Sequence, residues 1–138
     1  MLATLLPPAG RIRQFWEERS RRRQLLRVHV RERGLPNREV RGIRLLREWL
    51  STEQLGLFDK QGYFEVTGGQ TGRRYRIRYG TATNIHELDG YGHPTVGWCF
   101  VPIGPLVPGD VMLAQKIALE TDELGALAVA KQFSPSWY

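Results

Sequence analysis

Residues 73–79 alternate strictly: Tyr75, Ile77 and Tyr79 take one parity, and Arg74, Arg76 and Arg78 take the other. Successive side chains of an extended chain point to opposite faces, so a period of two defines a strand with one apolar and one charged side. Such a strand needs pairing partners and a cover for its apolar face. Residues 63–67 supply a partner across the turn Gly68-Gly69-Gln70-Thr71-Gly72. Residues 83–88 and 95–101 supply two more, joined by the turn 89–94, with Val96, Trp98 and Phe100 on one face. The simplest wiring is a four-strand antiparallel meander.

The cover is sought after the proline-rich stretch 102–108, which reads as a linker or ordered loop. Asp110 is expected to cap a helix over 111–120. Thr121-Asp122-Glu123 reads as a fresh cap, followed by a second helix or a kink to about 132. Leu113, Ile117, Leu124, Leu127, Ala128 and Val129 would then lie over the sheet. Asp110, Glu120, Asp122 and Glu123 read as helix-start and surface charges.

The first part of the chain differs. Residues 1–9 read as an extended lead, since Pro7-Pro8 cannot sit within a helix. Their few apolar residues lack a basic flank, so no signal peptide is expected. Residues 11–33 hold no Pro or Gly, and Ile12, Phe15 and Trp16 have helical spacing. The stripe then fails in the polar run Arg19-Ser20-Arg21-Arg22-Arg23, so this helix needs a partner. Gly34-Leu35-Pro36-Asn37 stops it and starts another over about 38–50. There Val40, Ile43, Leu46, Trp49 and Leu50 form an apolar side, with Arg38, Arg41, Arg44 and Arg47 beside them. Ser51 is expected to cap a short helix over 52–59.

Charge divides the chain. Residues 1–50 hold 13 Arg, no Lys and five acids, whereas residues 51–138 hold seven basic residues and nine acids. An excess of this kind at one end points to a polyanion. Guanidinium groups grip phosphate or carboxylate in a bidentate fork. The candidate contacts are Arg11, Arg13, Arg19, Arg21, Arg22, Arg23, Arg27, Arg31, Arg33, Arg38, Arg41, Arg44 and Arg47, with Arg74, Arg76 and Arg78 on the sheet. Along one strand face those last three stand roughly 6–7 Å apart, twice the rise per residue. A sheet that binds single strands interleaves aromatics with its basic residues. Here the two are expected on opposite faces, with the arginines solvated and paired to Glu65 or Glu87. Trp16 and Trp49 either stack bases or anchor their helices.

Catalytic and metal chemistry find little support. A single Cys excludes an internal disulfide and any multi-Cys zinc site. Asn84, His86 and Cys99 share a face in one strand register and would suit thiol chemistry, but a one-residue slip separates them. Zinc would need Cys99 with His29, His86 and His93, which lack the short paired spacings of zinc sites. GGQTG leads into a strand and lacks the Lys-Ser/Thr ending of a phosphate loop. The region 110–132 has too few basic residues for a DNA-reading helix-turn-helix. No apolar run reaches the ~18 residues of a membrane span.

Residues 64–133, through FEVTGG, RRYRIRYG, the ELD and GWCFVP region and GDVMLAQKIALE, resemble a family of small bacterial and phage proteins without an assigned activity. The resemblance implies no residue roles. A His often stands two positions after the Cys in that family; here Val101 does, against Cys–His chemistry.

The expected fold is α+β: a basic, helical N-terminal arm (1–60), then a domain (61–138) of four antiparallel strands with C-terminal helices covering the sheet. The expected function is a non-enzymatic component of a larger assembly, such as a phage particle or a bacterial cytoplasmic complex, without cofactor or metal. Its partners would be protein subunits in a homo- or hetero-oligomer, with the Arg-rich arm contacting either nucleic acid or acidic surfaces of those subunits, and no membrane. The alternatives are a freestanding nucleic-acid-binding or regulatory protein and, remotely, a small enzyme using Cys99 and His86. The aromatic ending Trp137-Tyr138 also suggests a contact.

Overall fold

The computed structural model describes residues 37–100 and 104–135. The expected helix over 11–33, its nine arginines, Trp16 and the ending Trp137-Tyr138 lie outside the described residues.

Helix α1 (Asn37–Trp49) buries Gly42, Ile43 and Leu46, and Leu50 follows into the core. Helix α2 (Thr52–Gln61) begins with a reciprocal cap. Gln54 N donates to Ser51 Oγ at 3.2 Å, and Ser51 N donates to Gln54 Oε1 at 3.0 Å. It ends at Gly62, whose φ of 74° suits a residue without a Cβ.

Strands β1 (Tyr63–Thr67), β2 (Arg74–Arg78), β3 (Ile85–Leu88) and β4 (Pro94–Cys99) form the expected antiparallel meander. The β3–β4 turn is held by Asp89 Oδ1, which accepts from Tyr91 N at 2.8 Å and His93 N at 2.9 Å. The sheet has five strands rather than four. Residues of the expected C-terminal helix instead form β5 (Lys131–Phe133), antiparallel to β4. Helix formation stops at Ala130, whose extended backbone (ψ 156°) turns the chain onto the β4 edge.

Between β4 and β5 run helices α3 (Pro108–Thr121) and α4 (Glu123–Val129). Helix α3 starts before Asp110, because Pro108 occupies the first turn where its missing N–H is not needed. Asp122 caps α4 by accepting from Gly125 N at 3.3 Å. Helices α1 and α3 cross with their backbones in contact: a Cβ on Gly109 would fall within the Gly42 peptide.

The core is one cluster. Leu46, Leu50 and Phe58 from α1, its end and α2 meet Phe64, Val66, Tyr75, Ile77, Ile85 and Trp98 from the sheet, and Met112, Leu113 and Leu119 from α3. Residues 37–60 therefore share a core with residues 61–130. The expected cover holds only in part: Leu113 is buried, but Ile117, Leu124 and Val129 are exposed. Helix α3 lies between sheet and α1, so its buried side is wide and includes Gln115 and Lys116. Glu123, expected at the surface, has no exposed area at all.

A candidate polyanion interface

All the described helices that feed the core reach it from the Tyr75–Ile77 side of the sheet. The opposite side carries the β2 arginines, and no described helix covers it. Register places Tyr63 opposite Arg78, Glu65 opposite Arg76, Arg76 opposite His86, and Gly97 opposite Phe133. One lateral row across five strands thus reads Glu65, Arg76, His86, Gly97, Phe133.

Aromatic and basic side chains are mixed on this face, contrary to the expected segregation. The Arg76 guanidinium lies 4.4 Å from the Tyr63 ring centre, and that of Arg78 lies 5.4 Å away. The Phe133 ring meets His86 edge to face at 5.8 Å, above Gly97. Tyr63 and Phe133 join this face through cross-strand register, which the alternation within β2 does not carry. Phe133 reaches it from β5, a strand that exists through its pairing with β4.

The charges of this face are largely met from within. Arg74 and Arg76 both pair with Glu65, the latter at 3.1 Å, whereas Glu87, opposite Tyr75 in register, meets Arg73 at 3.5 Å on the other side of the sheet. Arg76 also leans toward Gly92 O at 3.5 Å, and its Nε is buried without a hydrogen-bond partner among the described residues. His86 is 3% exposed, and Arg78 Nε approaches its Nδ1 at 3.4 Å. Burial, then Arg78 and Arg76, pushes the imidazole below its ordinary pKa, so it stands neutral.

The thiol constellation does not assemble. Cys99 stands two residues from Gly97, the partner of His86, and so shares its face. Its Sγ accepts from Thr83 N at 3.4 Å, however, and no hydrogen bond joins it to His86 among the described residues. Asn84 turns to α3, where it exchanges two amide hydrogen bonds of 2.9 Å with Gln115. Among the described residues no three His, Cys, Asp or Glu side chains are placed to hold a metal ion. No described helix is long and apolar enough to cross a membrane. A cleft of about 260 Å³ beside Thr95, Gln132 and Phe133 brings together no acid–base pair.

Helix α1 presents its arginines differently. Arg47 pairs with Asp59 of α2 at the surface, and Arg38 donates to Pro105 O at 3.3 Å. Arg41 and Arg44 are exposed, and no carboxylate pairs with either among the described residues. A three-residue repeat falls short of the 3.6-residue turn by about 60° per step, so the four arginines fan around the helix instead of forming one line. The same drift carries Trp49 off the buried side, where it was expected. It is 57% exposed, and Leu45 beside it is 43% exposed.

The net charge lies wholly outside the described residues. Residues 37–138 contain eleven basic and eleven acidic residues. Residues 1–36 contain nine Arg and three Glu, so they hold the whole net charge of +6.

No family model matches the chain, and neither a curated protein nor a solved structure matches it.

Proposed function

We propose that this protein is a non-enzymatic nucleic-acid-binding component of a larger assembly, with residues 1–36 and the outer face of α1 as its phosphate contacts. The observation that carries this reading is the placement of the net charge. Residues 37–138 are neutral overall, and Arg73, Arg74 and Arg76 are engaged by Glu87 and Glu65. The excess of arginine over acid lies in residues 1–36, and α1 begins at the next residue with Arg41 and Arg44 exposed. Contacts of this kind track a backbone and carry little base sequence information.

A protein contact is favoured by a separate observation. Leu124 and Val129 of α4 are 53% and 79% exposed, which suits a neighbouring subunit better than water.

The test is binding of the full chain to labelled DNA and RNA oligonucleotides over roughly 50–200 mM salt. The expected result is a steep linear fall of log K with log salt. Replacing the nine arginines from Arg11 to Arg33 with Gln should flatten that slope by several units. Absence of binding at the lowest salt overturns the reading and turns the search toward an acidic protein partner.

A further inference from the structure

We infer that Trp49 of α1 is a base-stacking platform, so that the nucleic acid this protein takes is single-stranded. This deepens the function proposed above and rests on it. Arg41, Leu45 and Trp49 follow one another at i, i+4 and i+8, which aligns them on one solvent-facing line of the helix at steps of about 6 Å. Trp49 is 57% exposed, and it stays outside the core cluster although Leu50, its neighbour, is buried. An indole left in water about two helical turns from Arg41, which no carboxylate pairs with among the described residues, offers a flat π-face at the end of a basic track.

The ligand follows from what each form of nucleic acid exposes. A duplex buries its base faces in its own stack and shows groove edges and phosphates, leaving an exposed indole nothing to stack upon. A single strand exposes base faces, and aromatic stacking on them is tolerant of sequence. Phosphate contacts from Arg41 and Arg44, both exposed, would hold the strand along the helix. A second copy of this chain is a poorer occupant. A two-fold contact through this side of α1 would set Arg38, Arg41 and Arg44 against the same arginines of the other copy.

The experiment measures binding of the full chain to a 20-nucleotide single strand and to the same sequence as a duplex, at one fixed salt concentration. Trp49→Ala should weaken single-strand binding about tenfold, the effect of losing about 1.4 kcal/mol of stacking. Trp49→Phe should recover most of it. Duplex binding should change less than about twofold, and the salt slope of Trp49→Ala should equal that of the parent, since no phosphate contact is removed. Equal losses on both ligands, or no loss on either, overturn the inference while leaving the general nucleic-acid reading intact. A parent chain that binds neither ligand overturns both. Sedimentation of parent and Trp49→Ala should give the same mass; a change of oligomeric state on substitution assigns Trp49 to a subunit contact and overturns the inference.

Discussion

The hydroxyl of Tyr75 donates to Glu123 Oε2 at 2.5 Å, joining the centre of the sheet to the start of α4 across 48 residues of chain. The same carboxylate accepts from Thr71 Oγ1 at 2.5 Å, Thr71 N at 2.8 Å and Gln70 N at 3.2 Å. Glu123 therefore grips the β1–β2 turn, and no cation pairs with it among the described residues. Burial alone would raise its pKa, but the hydrogen bonds from Thr71, Tyr75 and Gln70 outweigh burial and hold it below the ordinary range.

Removing this acceptor should cost far more than a surface charge. Glu123→Ala leaves several donors unpaired at a buried position, an expected loss of about 3 kcal/mol or more. Tyr75→Phe removes one hydrogen bond to a charged group and should cost about 1.5–3 kcal/mol. Denaturant unfolding of both single variants and the double variant should give a coupling energy of about 1–3 kcal/mol. Additive losses would show that the two groups stabilise the fold separately.

Stability should peak between about pH 6.5 and pH 10. Three buried groups set those limits, and the sign follows from each shift. His86 has a folded pKa below its ordinary value of 6.5, through burial, Arg78 and Arg76, so its contribution is present above 6.5 and is lost as pH falls. Glu123 acts in the same direction from its ordinary value of 4.5 downward. Tyr75 is pushed above its ordinary value of 10.0 by burial, then by Glu123, so its contribution is present below 10 and is lost as pH rises. Urea unfolding from pH 4 to 11 checks this. His86→Gln should remove the decline that begins near 6.5 and leave the steeper loss below 4.5. An unchanged profile would show that His86 does not titrate with folding.

How much of this was legible in the sequence depends on how local each signal is. The meander β1–β4 was readable because alternation and turn residues sit within each short segment, as in 73–79. The α2 cap was readable because Ser51 and Gln54 are three residues apart. Strand β5 was hidden, since Lys131-Gln132-Phe133 has no alternation of its own and exists only by pairing with β4. Glu123 looked like a helix-start charge, and only the fold brings the 68–72 turn onto it. Of the candidate site, the arginine-rich track was plain from composition. The exposure of Trp49 and the internal pairing of Arg74 and Arg76 depend on helix phase and register, which composition does not carry.

Gly97 and Phe133 give a further prediction. A Cβ on Gly97 would overlap the Phe133 ring, so Gly97→Ala must push that ring off the sheet. Overpacking of this kind costs about 1–3 kcal/mol. It should also uncover His86, whose exposure is now 3%. The imidazole should then titrate closer to its ordinary value, which NMR of the His86 ring protons reads directly. A destabilised variant with the His86 titration unmoved would show that Phe133 does not shield the imidazole.

The arginines themselves should divide into two classes by salt dependence. Each phosphate neutralised on a single strand contributes about 0.7 to the slope of log K against log salt. Arg41 and Arg44 are exposed and unpaired among the described residues, so Arg41→Gln with Arg44→Gln should reduce the slope by about 1.4. Arg74 and Arg76 already share Glu65, and Arg76 lies against Tyr63. To reach a phosphate they would have to leave a carboxylate to which each already donates a charge-assisted hydrogen bond. Arg74→Gln with Arg76→Gln should therefore leave the slope within about 0.3 of the parent and show instead as a stability loss of about 1 kcal/mol, the usual scale for partly exposed pairs. A larger slope change for the sheet pair than for the helix pair would move the phosphate contacts onto the open face of the sheet, with Tyr63 in place of Trp49 as the aromatic beside them.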